Sequence, residues 1–361
     1  METLFWVSVL VIVYVYAGYP LVLGAWARLA ARSSRKRPVD EAGPWPAISI
    51  VLAARNEAAR LPARVSNLLS LPYPGHREII VVSDGSTDDT AMALSRFSST
   101  VRLIEVPAGG KPLALNAAVA AASGEILVFA DARQRFEADA LVELVANFAD
   151  PQVGGATGEL ILDCEDGQGG STIGEGVGLY WSYEKWLRRK ESAVWSTLGA
   201  TGAIYALRRH LWRPLPADTL LDDVLAPMRA VLAGYRIVFD DRARAFDRAS
   251  PDAAAESRRK TRTLAGNYQI LLQEPRLLLP VANPVWLQYL SHKVGRLVVP
   301  WALILAFVTN AALAWQSWFF TAVLGAQIAF YLLAALGAWL DAKERGGWAW
   351  SGRSHESPSR S

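Results

Sequence analysis

A short apolar run that ends in an acid, EIIVVSD at residues 78–84, leads directly into GSTDDT at 85–90. Consecutive Ile and Val without polar alternation fit a buried strand, and the Gly/Ser/Thr turn with Asp88 and Asp89 then opens a helix. EILVFAD at 125–131 repeats the pattern, again apolar and again ending in an acid. In an open α/β sheet, ligands sit in the crevice beyond the carboxyl ends of the strands. Asp84 and Asp131 are therefore expected on one edge, facing one crevice.

Around these two strands the chain alternates short β-branched runs with helical segments. AISIVLAARNE at 47–57 reads as the first strand, with Arg55, Asn56 and Glu57 beginning its loop, and residues 101–106 as the third. A Gly-rich turn and an Ala-rich helix fill 108–125. This alternation predicts a parallel, doubly wound sheet. Residues 154–178 are Gly-rich and read as irregular. LYWSYEKWLRRKE at 179–191 then places Tyr180, Tyr183 and Trp186 three apart on one side of a helix. It fits a helix packed on the sheet with a solvated basic side, or an amphipathic helix at a membrane interface or acceptor groove. LGATGAIYALRR at 198–209 is a small-residue turn feeding a strand, where a ligand can approach the backbone. LLDDVLAPMRAVLAGYRIVFD at 220–240 opens a helix with two acids and stops it at Gly234. Such acids can serve the helix dipole alone, or chemistry.

Of the 361 residues, 52% are hydrophobic, and mean hydropathy is +0.17, a value that points to part of the chain lying in lipid. Residues 4–27 form an apolar run long enough to cross a hydrocarbon core, which needs about 20 residues. A cleaved signal peptide would need a basic start and a shorter apolar stretch, so a retained span within 1–27 is expected. Arg28, Arg32, Arg35, Lys36 and Arg37 follow in a basic linker, 28–46, that belongs on the cytoplasmic side. A cytoplasmic domain over 47–273, an interfacial helix at 284–296, two spans within 297–340 and a disordered tail at 341–361 complete the expected organisation of a multi-pass cell-membrane protein. The formal net charge of +3 makes no case for nucleic-acid binding. Cys164 stands alone and the four histidines are scattered, which excludes an intramolecular disulfide and gives no metal-ligand spacing.

The segments VLAARNEAARLP, VVSDGSTDDT, KPLALNAAVAAASGE, FADA, LGATGAIYALRR and LLDDVLAPMRAVLAGYRIV, in this order, resemble the membrane-bound family 2 glycosyltransferases. That group includes cellulose, chitin, hyaluronan and poly-N-acetylglucosamine synthases. The resemblance covers roughly 47–273. It implies a GT-A fold, a Rossmann-like nucleotide-sugar-binding α/β domain flanked by transmembrane helices. It also implies inverting transfer from a nucleotide-diphosphate sugar, usually UDP-linked, to a glycan or lipid acceptor among membrane lipids.

Individual residues take roles on that reading. Asp84 suits the nucleoside, Glu57 lies on the neighbouring loop, and Lys111 can balance diphosphate charge. Asp131 can hold Mg²⁺ or Mn²⁺, which binds through one or two carboxylates plus phosphates. The family pattern commonly has a second Asp two residues on, where this chain has Arg133. Arg133 either turns away or itself neutralises the diphosphate. LDD at 221–223 resembles the family's TED segment, so Asp223 takes the general-base role with Asp222 as its neighbour. RKTRT at 259–263 stands where processive members have QxxRW; Arg262 matches the Arg, and Gln and Trp are missing. That loss, with three spans, makes a modest conduit for a polymer unless the protein forms a homo-oligomer or has a synthase partner. Transfer of one sugar to a polyprenyl phosphate or another lipid, and a catalytically silent nucleotide-sugar-binding subunit, are the competing readings.

Overall fold

The computed structural model describes residues 1–32, 34–39, 43–163, 172–248 and 253–351. Cys164, His355 and the tail beyond 351 lie outside them. Eight strands form one sheet: β1 Ile48–Ala54, β2 Arg77–Asp84, β3 Val101–Val106, β4 Ile126–Ala130, β5 Arg135–Phe136, β6 Val153–Asp163, β7 Ile204–Arg208 and β8 Arg236–Arg248. Their order is β3-β2-β1-β4-β7-β6-β8-β5. The first four run parallel, as the strand–helix alternation requires. The expectation of a wholly parallel sheet is corrected at β7, which runs antiparallel to both β4 and β6. The chain leaves β6, passes through a long helix and re-enters from the opposite end.

Two apolar layers sandwich the parallel half, and strand parity sorts residues between them. Ile48, Ile50 and Leu52 of β1, Ile79 and Val81 of β2, and Ile126 and Val128 of β4 join one core. It is covered by helices at Leu61–Ser70 and Ala140–Ala146. Val51, Ile80, Val82, Leu127 and Phe129 face the other core, against helices at Lys111–Ala121 and Asp222–Leu232. The helices are labelled in chain order: α1 Glu2–Val13, α2 Tyr19–Leu29, α3 Leu61–Ser70, α4 Thr90–Leu94, α5 Lys111–Ala121, α6 Ala140–Ala146, α7 Thr172–Val194, α8 Asp222–Leu232, α9 Ala253–Gln273, α10 Trp286–Gln288, α11 Gly295–Leu313 and α12 Trp318–Ser351. Residues 154–163, expected to be irregular, are strand. Glycine is needed there because a Cβ at Gly158 would sit 2.2 Å from the Ala243 carbonyl oxygen on β8.

Contacts divide the chain into two compact units, Gly18–Leu297 and Met1–Ala17 with Val298–Ser361. In the second, Phe5, Ala306, Leu313 and Phe320 form a small core, with Phe5 and Phe320 edge to face at 5.4 Å. Three helices are long and apolar enough to cross a membrane: Glu2–Leu29, Trp286–Leu313 and Trp318–Gly337. Only 6% of the apolar window in the last is buried, so its side chains face outward as a lipid-exposed surface would. Two expected boundaries change. The interfacial segment 284–296 is not separate, because α10 continues through a π-helical turn, Tyr289–Val294, into α11. The final helix also runs to Ser351, past the expected start of the tail at 341.

Leu52 is fully buried between the sheet and α3, whereas Leu272 on α9 is 84% exposed. Leu52→Ala is expected to cost about 2–5 kcal/mol and lower the melting temperature of the detergent-solubilised protein. Leu272→Ala should change stability by no more than about 0.5 kcal/mol. Thermal melts followed by tryptophan fluorescence compare the two.

Candidate active site

The parallel strands end at two loops that are tied together. Asp84, only 4% exposed, accepts hydrogen bonds from the backbone N–H of Gly109 at 2.7 Å and of Gly110 at 3.0 Å. Its register opposite Val106 brings it to the loop after β3. The carboxylate therefore anchors the turn that starts α5 at Lys111. On the next loop, Thr87 N–H donates to Asn56 Oδ1 at 2.8 Å, and Ala58 N–H donates to Asp88 Oδ2 at 3.1 Å. Asn56 takes a left-handed backbone, φ 55°, which Asn tolerates better than most residues. The Thr90 hydroxyl first, helped by the Ala58 N–H, holds the Asp88 carboxyl below its ordinary range against the opposing effect of desolvation. Glu57 accepts from Arg60 at 2.7 Å. Glu57 and Asp84 thus reach the expected edge, but both carboxylates are engaged by the protein itself.

Four of the expected residues meet. Lys111 Nζ lies 3.2 Å from Asp131 Oδ1 and 3.2 Å from Asp222 Oδ2. Lys111 is delivered by the start of α5, Asp131 by the end of β4, and Asp222 and Asp223 by the first turn of α8. Burial alone would lower the ammonium's pKa, but Asp222, Asp131 and Asp223 together raise it, so Lys111 stays charged. The Asp223 carboxylate, partly buried beside it, makes no hydrogen bond or ion pair with any described residue. Burial, then the charge of Asp222, push its carboxyl up to about 6, while Lys111 and Lys293 pull the other way. A carboxylate poised near neutral pH is what general-base catalysis uses.

Sequence reading missed the floor of this site. A Cβ at Gly202 would lie 2.8 Å from Asp223 Oδ2, so this glycine leaves the space the carboxylate occupies. Ala200 N–H donates to the Asp223 carbonyl at 2.7 Å, fixing the small-residue turn against α8. Tyr205, buried and stacked on Phe129 at 4.4 Å, has a hydroxyl without a hydrogen-bond partner. Burial, then Asp222, Asp223 and Asp131, push that hydroxyl well up. Only the run of small residues hinted at these roles.

Two expected residues lie apart from the cluster. Arg133 turns to β8, where it pairs with buried Asp247 at 2.7 Å, and Gln134 donates to the same oxygen at 3.0 Å. Of its two expected readings the structure matches the first, in which Arg133 turns away, its guanidinium bound by a carboxylate 114 residues on in the chain. Arg262 donates to the Leu220 carbonyl at 2.7 Å, and Leu220 N–H donates to Gln269 Oε1 at 2.9 Å. Helix α9 therefore supports the loop leading into Asp222 and Asp223. No group of three or more His, Cys, Asp or Glu that could hold a metal occurs among the described residues. One partly exposed strand-end carboxylate, Asp131, still fits Mg²⁺ or Mn²⁺, which take most ligands from substrate oxygens and water.

A sheet of this order with acids at the ends of β2, β4 and the start of α8 defines a GT-A fold. A mannosyltransferase from Pyrobaculum calidifontis, solved in complex with GDP-Man and Mn2+, superposes with a TM-score of 0.68 over 93% of this chain and 94% of that one, at 22% identity. Residues 49–212 match the family described as Glycosyl transferase family 2. It is 24% identical over 235 residues to the poly-beta-1,6-N-acetyl-D-glucosamine synthase of Staphylococcus epidermidis, covering 63% of this chain and 56% of the relative. It is 36% identical over 118 residues to the beta-monoglucosyldiacylglycerol synthase of Synechocystis, 31% of this chain and 25% of that protein. The chain thus spans little more than half the length of the synthases it matches.

Gly202→Ala is expected to displace the Asp223 carboxylate and lower turnover roughly tenfold or more, with donor affinity kept. Initial rates beside nucleotide-binding isotherms check this. The raised Asp223 pKa also carries a stability sign. Below about pH 4 both folded and unfolded chains hold the proton; between about pH 4 and 6 the unfolded chain loses it first, so stability falls as pH rises. Asp223→Asn should therefore melt about 2–4 °C above wild type at neutral pH, and together with it near pH 4. A constant difference across pH would contradict the assignment.

Proposed function

We propose that the protein transfers a sugar, with inversion, from a nucleotide-diphosphate donor to an acceptor hydroxyl on a glycan or lipid. The observation that carries this reading is Asp223, a partly buried carboxylate with no protein partner, beside the Lys111–Asp131–Asp222 cluster. The acceptor oxygen attacks the anomeric carbon from the face opposite the diphosphate. Its proton passes to Asp223 as the bond to the leaving diphosphate breaks. Asp222 helps keep Asp223 basic enough to receive that proton. Lys111, at the first position of α5, meets the leaving charge together with the helix N-terminus. Asp131 would hold a bound Mg²⁺ or Mn²⁺, which supplies Lewis-acid charge to the diphosphate. Asp84 acts at one remove, fixing the loop on which Lys111 stands.

The three apolar helices support a membrane setting for this chemistry. The basic residues at 28–37 favour a cytoplasmic face for the Gly18–Leu297 unit. The relatives include a polymer synthase and a glycolipid synthase. The absence of Gln and Trp around Arg262 favours a short product over a long polymer.

Nucleotide release from a panel of UDP- and GDP-sugars, with Mg²⁺ or Mn²⁺ and lipid present, tests the reading. One donor should be turned over, with kcat/KM rising through about pH 6. Asp223→Asn should lower the rate by about 10²–10⁴-fold without weakening nucleotide binding. Turnover that survives this change would remove Asp223 from the mechanism.

A further inference from the structure

Helix α7 sets Glu184, Arg188 and Glu191 along one face, at i, i+4 and i+7. That face meets the π-helical turn Tyr289–Val294. His292 Nδ1 lies 2.6 Å from Glu191 Oε1, and Arg296 pairs with Glu184 at 2.5 Å. The Tyr19 hydroxyl donates to the same Glu191 oxygen at 2.8 Å. Beside this contact opens a crevice of about 90 Å³, lined in part by Glu159, Trp181, Glu184, Lys185, Arg188 and Thr201. Its carboxylates are matched: Glu159 pairs with Lys185 at 2.5 Å, and Glu184 with Arg296.

Two cations remain. Arg188 donates to the Thr201 hydroxyl at 2.7 Å and pairs with no carboxylate. Lys293, partly buried next to His292, makes no hydrogen bond or ion pair with any described residue. Both stand on the Asp223 side of the catalytic cluster. Thr201 adjoins Gly202, against which Asp223 packs, and Lys293 is one of the charges that pull the Asp223 carboxyl down. Glu184 and Glu191 act on Lys293 at longer range, but Arg296 and His292 already hold them, and Arg188 repels the ammonium; cations gathered in a partly buried place invite an anion.

We propose that Arg188 and Lys293 form an acceptor subsite for the phosphate group of a phosphorylated lipid, seated beside Asp223. This rests on the transferase reading and narrows its acceptor class. A guanidinium fork and an ammonium are the usual partners of a phosphate monoester. The lipid source follows from position. Lys293 belongs to Trp286–Leu313, a helix long and apolar enough to cross a membrane, where a lysine reaches the headgroup layer.

The test uses the full chain in nanodiscs of uncharged lipid, titrated with a long-chain polyprenyl phosphate, the matching polyprenol, and glycerol phosphate. UDP or GDP, whichever the wild type binds, is titrated separately. Polyprenyl phosphate should bind at least about tenfold more tightly than polyprenol, and Arg188→Gln and Lys293→Gln should each weaken it by about tenfold. Arg188→Lys and Lys293→Arg should retain most of the affinity, Arg189→Gln on the exposed side of α7 should retain all of it, and nucleotide binding should hold in every variant. Equal affinity for the phosphate and the alcohol, or phosphate binding untouched by both Gln variants, would overturn the subsite. Glycerol phosphate binding as tightly as the lipid would overturn the lipid assignment. Failure of the wild type to bind any nucleotide would instead overturn the transferase reading.

Discussion

A single ammonium holds the candidate site together. Lys111 stands 3.2 Å from a carboxylate of β4 and 3.2 Å from one of α8, elements that meet nowhere else through opposite charge. Without it, Asp131, Asp222 and Asp223 would face one another unbalanced. Two like charges about 4 Å apart repel by about 4 kcal/mol at the effective dielectric of a protein surface. The position of Lys111 is fixed in turn by Asp84, whose carboxylate pins Gly109 and Gly110 just before α5. A buried acid at the end of one strand thus places the cation that serves acids on two other elements.

That dependence explains why the two acid-terminated strands serve different ends. Asp84 faces inward and is consumed by backbone N–H groups; Asp131 is 36% exposed on its side chain and shares one oxygen with Lys111. Asp131 is free to exchange partners when a charged ligand enters, and Asp84 is not. Asp223 is freer still, since its carboxylate touches no protein donor and Gly202 leaves room around it.

The parallel half of the sheet was legible because unbroken Ile and Val runs fix buried strands, and a strand's last residue fixes an edge. Asp84 and Asp131 could be placed on one edge on that basis, whereas Lys111, Asp222 and Asp223 joined them only through the family resemblance. The direction of β7 could not, because IYALR carries no mark of which end it enters from. The strand character of 154–163 was hidden by glycines that answer to distant neighbours, Gly154 to Tyr235, Gly155 to Ile237 and Gly158 to Ala243, rather than to local conformation. The Asp84 hydrogen bonds, the Gly202 floor and the Arg133–Asp247 pair are contacts between distant segments. Local pattern holds no trace of them, and residue type suggested ligand binding where the fold uses the same groups for itself.

Arg133 shows how the charge of the crevice is kept in hand. An arginine where relatives commonly carry an acid would make the donor side more positive, but Asp247 cancels the guanidinium at 2.7 Å from beneath. The cluster itself then sets the balance. Three carboxylates against one ammonium leave it negative, and a nucleotide diphosphate adds further negative charge. Lys111 cannot compensate both, and the partly exposed Asp131 is where the proposed divalent cation would supply the missing positive charge. Near Asp223 the proposed subsite adds positive charge, because Arg188 and Lys293 form no ion pair with a carboxylate among the described residues. On the proposed mechanism Asp223 would then stand between a negative donor side and a positive acceptor side. Such a field orients an acceptor carrying negative charge, its reactive oxygen toward the donor sugar and its charge away from the leaving diphosphate.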